Sequence, residues 1–195
     1  MFPTEPQKEL IAKHIGSSRF VYNLALETKN AVYISAKHNY SAFDLVKQLP
    51  ELKKECPWLK EVNSQSLQQS IQNMDIAFKR FFKGAGFPKF KKKSNKGSFS
   101  IPQNVRVEND LLIIPKFKEG IKMSLHRPTK GTIKSATISV TPTGKYFVSI
   151  LCETKEELPT KAPIKENTTI GIDLGIKDFA ITSDGEVFEN PKNRQ

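Results

Sequence analysis

Residues 64–90, SQSLQQSIQNMDIAFKRFFKGAGFPKF, contain the change of period that decides the fold. Leu67, Ile71, Met74, Phe78 and Phe81 recur at steps of four and three, so they share one face of a helix that Asn63 can cap. Gly84, Gly86 and Pro88 then end it, because glycine loses the most backbone entropy in a helix and proline has no amide hydrogen to donate. Beyond that point short runs alternate between apolar and polar residues, which is the period of a strand. The expected class is α+β, with helices first and strands after.

Upstream, Thr4 and Gln7 form a capping box, in which each side chain satisfies an orphan amide at a helix start. Ile11 and Ile15 continue that first helix, and a second carries Phe20, Val21, Leu24 and Val32. Ser41 caps a third, short helix limited by Pro50, and Trp58 is expected to plug the core in the connection before Asn63. Downstream, residues 99–101, 105–107 and 111–114 read as strands. Residues 133–141 and 145–153 flank Pro142, Thr143 and Gly144 as a hairpin, with Tyr146, Val148, Ile150 and Cys152 on one face. Short strands at this spacing predict a small barrel. Residues 156–168, rich in Lys, Glu, Pro and Thr with Pro159 and Pro163 among them, read as a linker. A buried-type strand at 170–174 and another at 179–182, turning at Asp184 and Gly185, open a new domain.

The 195 residues are 37% hydrophobic, enough for a core, and 31 Lys and Arg against 20 Asp and Glu give a net charge of +11. That excess points to a polyanion, and nucleic acid comes first. No apolar run approaches the ~18 residues of a spanning helix and no signal peptide is visible, so the cytosol, with no membrane partner, is the expected setting. Cys56 and Cys152 lie far apart without a CxxC pair, and His14, His38 and His126 lack ligand spacing, so no zinc is expected.

Two stretches carry candidate chemistry. Lys79, Arg80, Lys83, Lys89, Lys91, Lys92, Lys93 and Lys96 alternate with Phe81, Phe82, Phe87 and Phe90, a combination that can neutralise phosphates while rings stack on bases. A solvated charged face is the competing reading. On the helix at 64–81 the face opposite the apolar stripe bears Gln65, Gln68, Gln69, Gln72 and Asn73, amides able to read base edges or simply to face water. Second, Asp173 stands in GIDLG at 171–175, where an aspartate inside an apolar strand demands a cation or donors. The flanking glycines leave room for a phosphate or metal. Ribonuclease H-like metal nucleases and actin-like ATPases both use this arrangement. Its position behind a basic, β-rich segment favours the nuclease.

Residues 19–23 (RFVYN), Leu67, Gln68, Phe81, Phe82, 86–93 (GFPKFKKK), 102–105 (PQNV), 134–153 (KSATISVTPTGKYFVSILCE) and 171–185 (GIDLGIKDFAITSDG) closely resemble the TnpB family. These are OrfB-type, transposon-encoded RNA-guided DNA endonucleases, similar to the type V CRISPR effectors. The resemblance implies a helical recognition lobe over residues 1–86, a β-barrel wedge domain over 87–155, a linker at 156–168, and the start of a RuvC-like nuclease domain at 169–195. It implies a guide RNA and a double-stranded DNA target as partners. Gln68 falls where the family's helix reads the DNA motif, with Gln103 and Asn104 in a neighbouring contact region; Ser64 and Gln65 depart from relatives and imply a different motif. Asp173 matches the first catalytic carboxylate, a ligand of the two Mg2+ ions of this chemistry.

The family's other two carboxylates and its zinc ribbon match nothing before Gln195, and relatives begin with a strand ahead of Phe2. The sequence therefore reads as clipped at both ends, with its remainder encoded downstream. A chain that binds guide RNA and DNA without cutting is expected. A nuclease-dead RNA-guided repressor and a fragment of an actin-like ATPase are the alternatives.

Overall fold

The computed structural model describes residues 1–94, 96–156, 160 and 165–191, in two compact units, Met1–Lys155 and Glu156–Gln195. In the first, α1 spans Glu5–Ala36, α2 Ala42–Lys47, α3 Leu49–Glu55 and α4 Ser64–Phe81, with a 3-10 turn at Pro57–Lys60. Six strands follow: β1 Gly97–Ile101, β2 Arg106–Glu108, β3 Leu111–Ile114, β4 Phe117–Lys122, β5 Thr132–Val140 and β6 Tyr146–Glu153. The order of helices before strands is as the change of period requires.

The two helices expected before residue 36 are one. Gly16 leaves α1 unbroken, and the buried face changes partner along its length: Ile11 packs among the strands, whereas Val21, Tyr22, Ala25 and Leu26 pack among the helices. Gln7 accepts from the Thr4 amide (3.0 Å) and donates to the Gly120 carbonyl (2.7 Å), pinning the helix start to β4. The change of partner falls at His14. Its ring stacks on Phe99 with centroids 4.7 Å apart, Nδ1 donates to the Leu10 carbonyl (2.8 Å), and Nε2 accepts from the Asn63 amide (3.0 Å). Both nitrogens are thereby committed to the neutral imidazole, and burial lowers the pKa, with the charge of Lys116 acting in the same direction.

Leu67, Ile71, Met74 and Phe78 of α4 are buried against α1, as their spacing requires. Asn63 caps α4 by accepting from the Gln65 amide, and Ser41 caps α2 with Asp44 as its reciprocal partner. Trp58 does not plug the core. It is 43% exposed, edge-on to Phe20 at 5.0 Å, and its neighbour Leu59 is the fully buried residue.

The strands form two antiparallel ladders, β1-β5-β6 and β2-β3-β4, sharing a core in which Phe99, Ile101 and Ile138 meet Leu112, Phe117 and Ile121. No closed barrel forms among the described residues. The edges β4 and β6 bond instead to the first two residues, the Phe2 amide donating to Lys122 (2.7 Å) and the Met1 ammonium to Tyr146 (3.0 Å), too short a segment to build a ladder. Along β6, Tyr146, Val148, Ile150 and Cys152 are the more buried set, as the alternation demands. β4 goes unseen in the sequence because Lys118, Glu119 and Gly120 interrupt its apolar pattern.

The second unit holds an antiparallel sheet, β7 (Ile172–Asp173), β8 (Asp178–Thr182) and β9 (Val187–Glu189), in that order. Asp173 pairs with Ile181, and the turn after Thr182 places Gly185 at φ +87°. Pro159 and Pro163 of the expected linker lie outside the described residues. No helix among the described residues is long and apolar enough to cross a membrane.

Candidate nucleic-acid interface

The lysine-rich segment leaves α4 through three backbone turns: Phe82, Lys83 and Ala85 donate to carbonyls of the last helical residues. Phe87 then meets Phe78 and Phe81 edge-on at 5.5 and 5.3 Å, and Pro88 is buried beside them. These contacts anchor the start of the segment to the helical core. Its middle is held by Asn23 of α1, whose amide donates to the Lys91 carbonyl (3.0 Å) and accepts from the Lys91 amide (2.8 Å). The pair satisfies both backbone groups of Lys91 as a strand partner would. The Lys91 ammonium lies 4.1 Å from the Tyr22 ring centroid, and desolvation there lowers its pKa.

Pinned in this way, the segment forms one wall of an open cleft of about 470 Å3. Lys91, Lys92 and Lys96 line it together with Arg19 from α1, and Ser94, Ser98 and Ser139 add hydroxyls. Gly97 stands at its base, where a Cβ would come 2.5 Å from Ile15, so only glycine lets α1 approach β1 this closely. Four cations with hydroxyl donors between them have the charge and the hydrogen-bond donors that a phosphodiester backbone requires. Lys83, Lys89 and Lys93 are exposed outside this cleft. Lys79 pairs with Asp75 at 3.0 Å, and Arg80 borders a separate hollow beside Asn73 and Gly86.

On α4, Gln68 is half-buried, and the neighbouring Gln65 donates to Gln103 at 3.1 Å. That bond brings the amide face of the helix against the loop between β1 and β2, where Gln103 and Asn104 are exposed and Asn104 adopts φ +60°. Gln65 Oε1 is buried without a partner among the described residues. Sequence reading does not mark Arg19, Asn23 or Ser139 as part of an interface. Arg19 and Asn23 lie in the 19–23 motif, but no local pattern says that they meet a segment about seventy residues away.

Asp173 is exposed, which corrects the expectation of a carboxylate buried in an apolar strand. At Gly175 a Cβ would lie 3.0 Å from the Asp178 carbonyl, so the local backbone also favours glycine there. Among the described residues no three His, Cys, Asp or Glu side chains converge where they could hold a metal ion, so Asp173 does not by itself fit a metal site.

Fold and cleft define a basic α+β protein with a cationic groove between its helical and strand-rich halves. A family profile described as a helix-turn-helix domain, of the OrfB type, matches residues 1–37, which here form the single helix α1 and its cap. InsQ of Escherichia coli, named as an RNA-guided DNA endonuclease, is 34% identical over 193 residues, covering 96% of this chain and 46% of InsQ. A Streptomyces pristinaespiralis protein named in the same way is 31% identical over 201 residues, covering all of this chain and 49% of that protein. Virulence protein VsdF of Salmonella dublin is 34% identical over 110 residues, 49% of this chain and 91% of VsdF. The chain belongs to the TnpB family and matches its amino-terminal portion, spanning about half the length of the first two relatives.

Proposed function

We propose that this chain binds a guide RNA and a double-stranded DNA target, in the cytosol, as the amino-terminal part of an RNA-guided DNA endonuclease. The observation that carries the reading is the Asn23 clamp, which turns a flexible lysine run into a fixed wall facing Arg19. Fixed cations lose less freedom on binding than a solvated tail does. The contact between Gln65 and Gln103 supports a second role, the reading of base edges by Gln68, Gln103 and Asn104 in a DNA motif. In this reading the α1–α4 half is the recognition lobe, the two ladders are the wedge domain, and the β7–β9 sheet opens a RuvC-like domain.

Asp173 is exposed, and among the described residues no three His, Cys, Asp or Glu side chains converge where a metal ion could be held, which supports a chain that does not cut by itself. Binding without cleavage, as in RNA-guided repression, is the second reading, favoured by that same observation. The test is to purify the chain, sequence the RNA that accompanies it, and titrate duplex binding against salt. A defined RNA and a salt slope of about −0.9 per phosphate contacted support the proposal. Heterogeneous RNA removed by modest salt refutes guide binding. Magnesium-dependent cutting by the 195-residue chain, abolished in Asp173→Ala, would refute the assignment as a non-cutting binder.

A further inference from the structure

Lys29, Tyr33, Phe78, Phe82 and Phe87 line a groove of about 480 Å3 between the last turns of α1 and the end of α4. That volume lies within the roughly 300–1,000 Å3 typical of sites that enclose small ligands. Two of its rings are not packed away: Phe82 is 76% and Tyr33 56% exposed. Phe87 is held in place by its edge-on contacts with Phe78 and Phe81, so it offers a fixed surface. Asn30 and Asn39 also line the groove, and among the described residues nothing hydrogen-bonds to their side-chain amides.

We propose that this groove takes an unstacked nucleobase from a single strand, stacked on Phe82 and Tyr33 with its edge toward the amides of Asn30 and Asn39. The inference rests on the nucleic-acid reading above and adds a place for a base to its places for phosphates. Charge selects this occupant over an apolar protein segment. Residues 79–90, which contribute Phe81, Phe82 and Phe87 to the groove, carry Lys79, Arg80, Lys83 and Lys89 and no acidic residue. Lys29, which lines the groove, shares the carboxylate of Asp75 with Lys79, at 3.7 and 3.0 Å, so one negative charge meets two positive ones. The Lys37 ammonium adds another, 5.5 Å from the Tyr33 ring centroid. Rings framed by cations, with free amides alongside, match a base and its flanking phosphates.

Fluorescence anisotropy with the full chain separates base from backbone, using a labelled oligouridylate of about 12 residues and an abasic phosphodiester of the same length. Wild-type protein should bind the oligouridylate more tightly. Phe82→Ala, at a position too exposed to endanger folding, should weaken oligouridylate binding about tenfold and leave the abasic strand unchanged, with Phe82→Trp restoring it. Tyr33→Ala should act in the same direction. Equal binding of both probes, unaffected by Phe82→Ala, overturns the proposal and leaves the phosphate cleft intact. Failure of wild-type protein to bind either probe overturns the nucleic-acid reading itself.

Discussion

Leu112, Ile121 and Ile138 are wholly buried in the two ladders of the first unit, whereas Ile172, Leu174 and Ile176 of the second are 62%, 71% and 93% exposed. In sequence the two sets look alike: short β-branched or leucine-rich runs bounded by turn residues. The difference lies in what covers them. In Met1–Lys155 the two ladders and the first half of α1 share one core, so the inward-facing apolar side chains of the strands have a second layer to meet. Within residues 165–191 a single three-stranded sheet carries no such layer, and a lone small sheet is marginal in water. An apolar strand pattern thus states a requirement for cover, and the fold decides whether it is met.

Unfolding experiments can break that comparison most severely. Leu26→Ala in α1 should cost about 3 kcal/mol in a denaturant titration, because it empties fully buried volume. Ile176→Ala should shift stability by less than about 0.5 kcal/mol. Similar losses at both sites would mean that the β7–β9 sheet is covered after all.

A second measurement concerns His14, the polar residue at the meeting of the two cores. Its folded pKa lies below the ordinary value of 6.5, so above pH 6.5 both folded and unfolded states hold it neutral and the contribution is fully present. As pH falls through 6.5 the unfolded chain takes up the proton first, so stability should fall toward acid, by at most about 1.4 kcal/mol per pH unit, until the folded pKa is reached. His14→Phe should flatten this decline below pH 6.5. An unchanged pH profile in that variant would remove His14 from the account.

The cleft gives a finer test. Arg19→Ala should reduce the slope of log affinity against log salt by about 0.9, as expected when one duplex phosphate is no longer neutralised, with an unfolding midpoint close to wild type. The smallest effect is expected at Asp173. Replacement by Ala should leave stability within about 0.5 kcal/mol, and added magnesium should move the melting temperature of neither protein, since no other ligands among the described residues converge on that side chain.

What is legible in the sequence follows the same division. The stripe on α4 can be read because Leu67, Ile71, Met74 and Phe78 all face one hydrophobic cluster, so no polar residue interrupts the period. α1 reads as two helices because its buried face passes from one core to the other through His14, Ser17 and Ser18, polar residues that interrupt an apolar period. Trp58 reads as interior on size alone, while the neighbouring Leu59 takes the interior position. The lysine run is visible as composition. Its shape is not, because the Asn23 amide that fixes it and the Arg19 that faces it lie far back in the chain, and spacing within the run carries no trace of them.

The shared helix has a thermodynamic corollary. Because α1 is a continuous rod contributing to both hydrophobic clusters, neither half of Met1–Lys155 can melt without removing a wall from the other, and the unit should denature in one sharp transition. Arg19 sits near the middle of that rod, so a strand gripped there would stiffen both halves together.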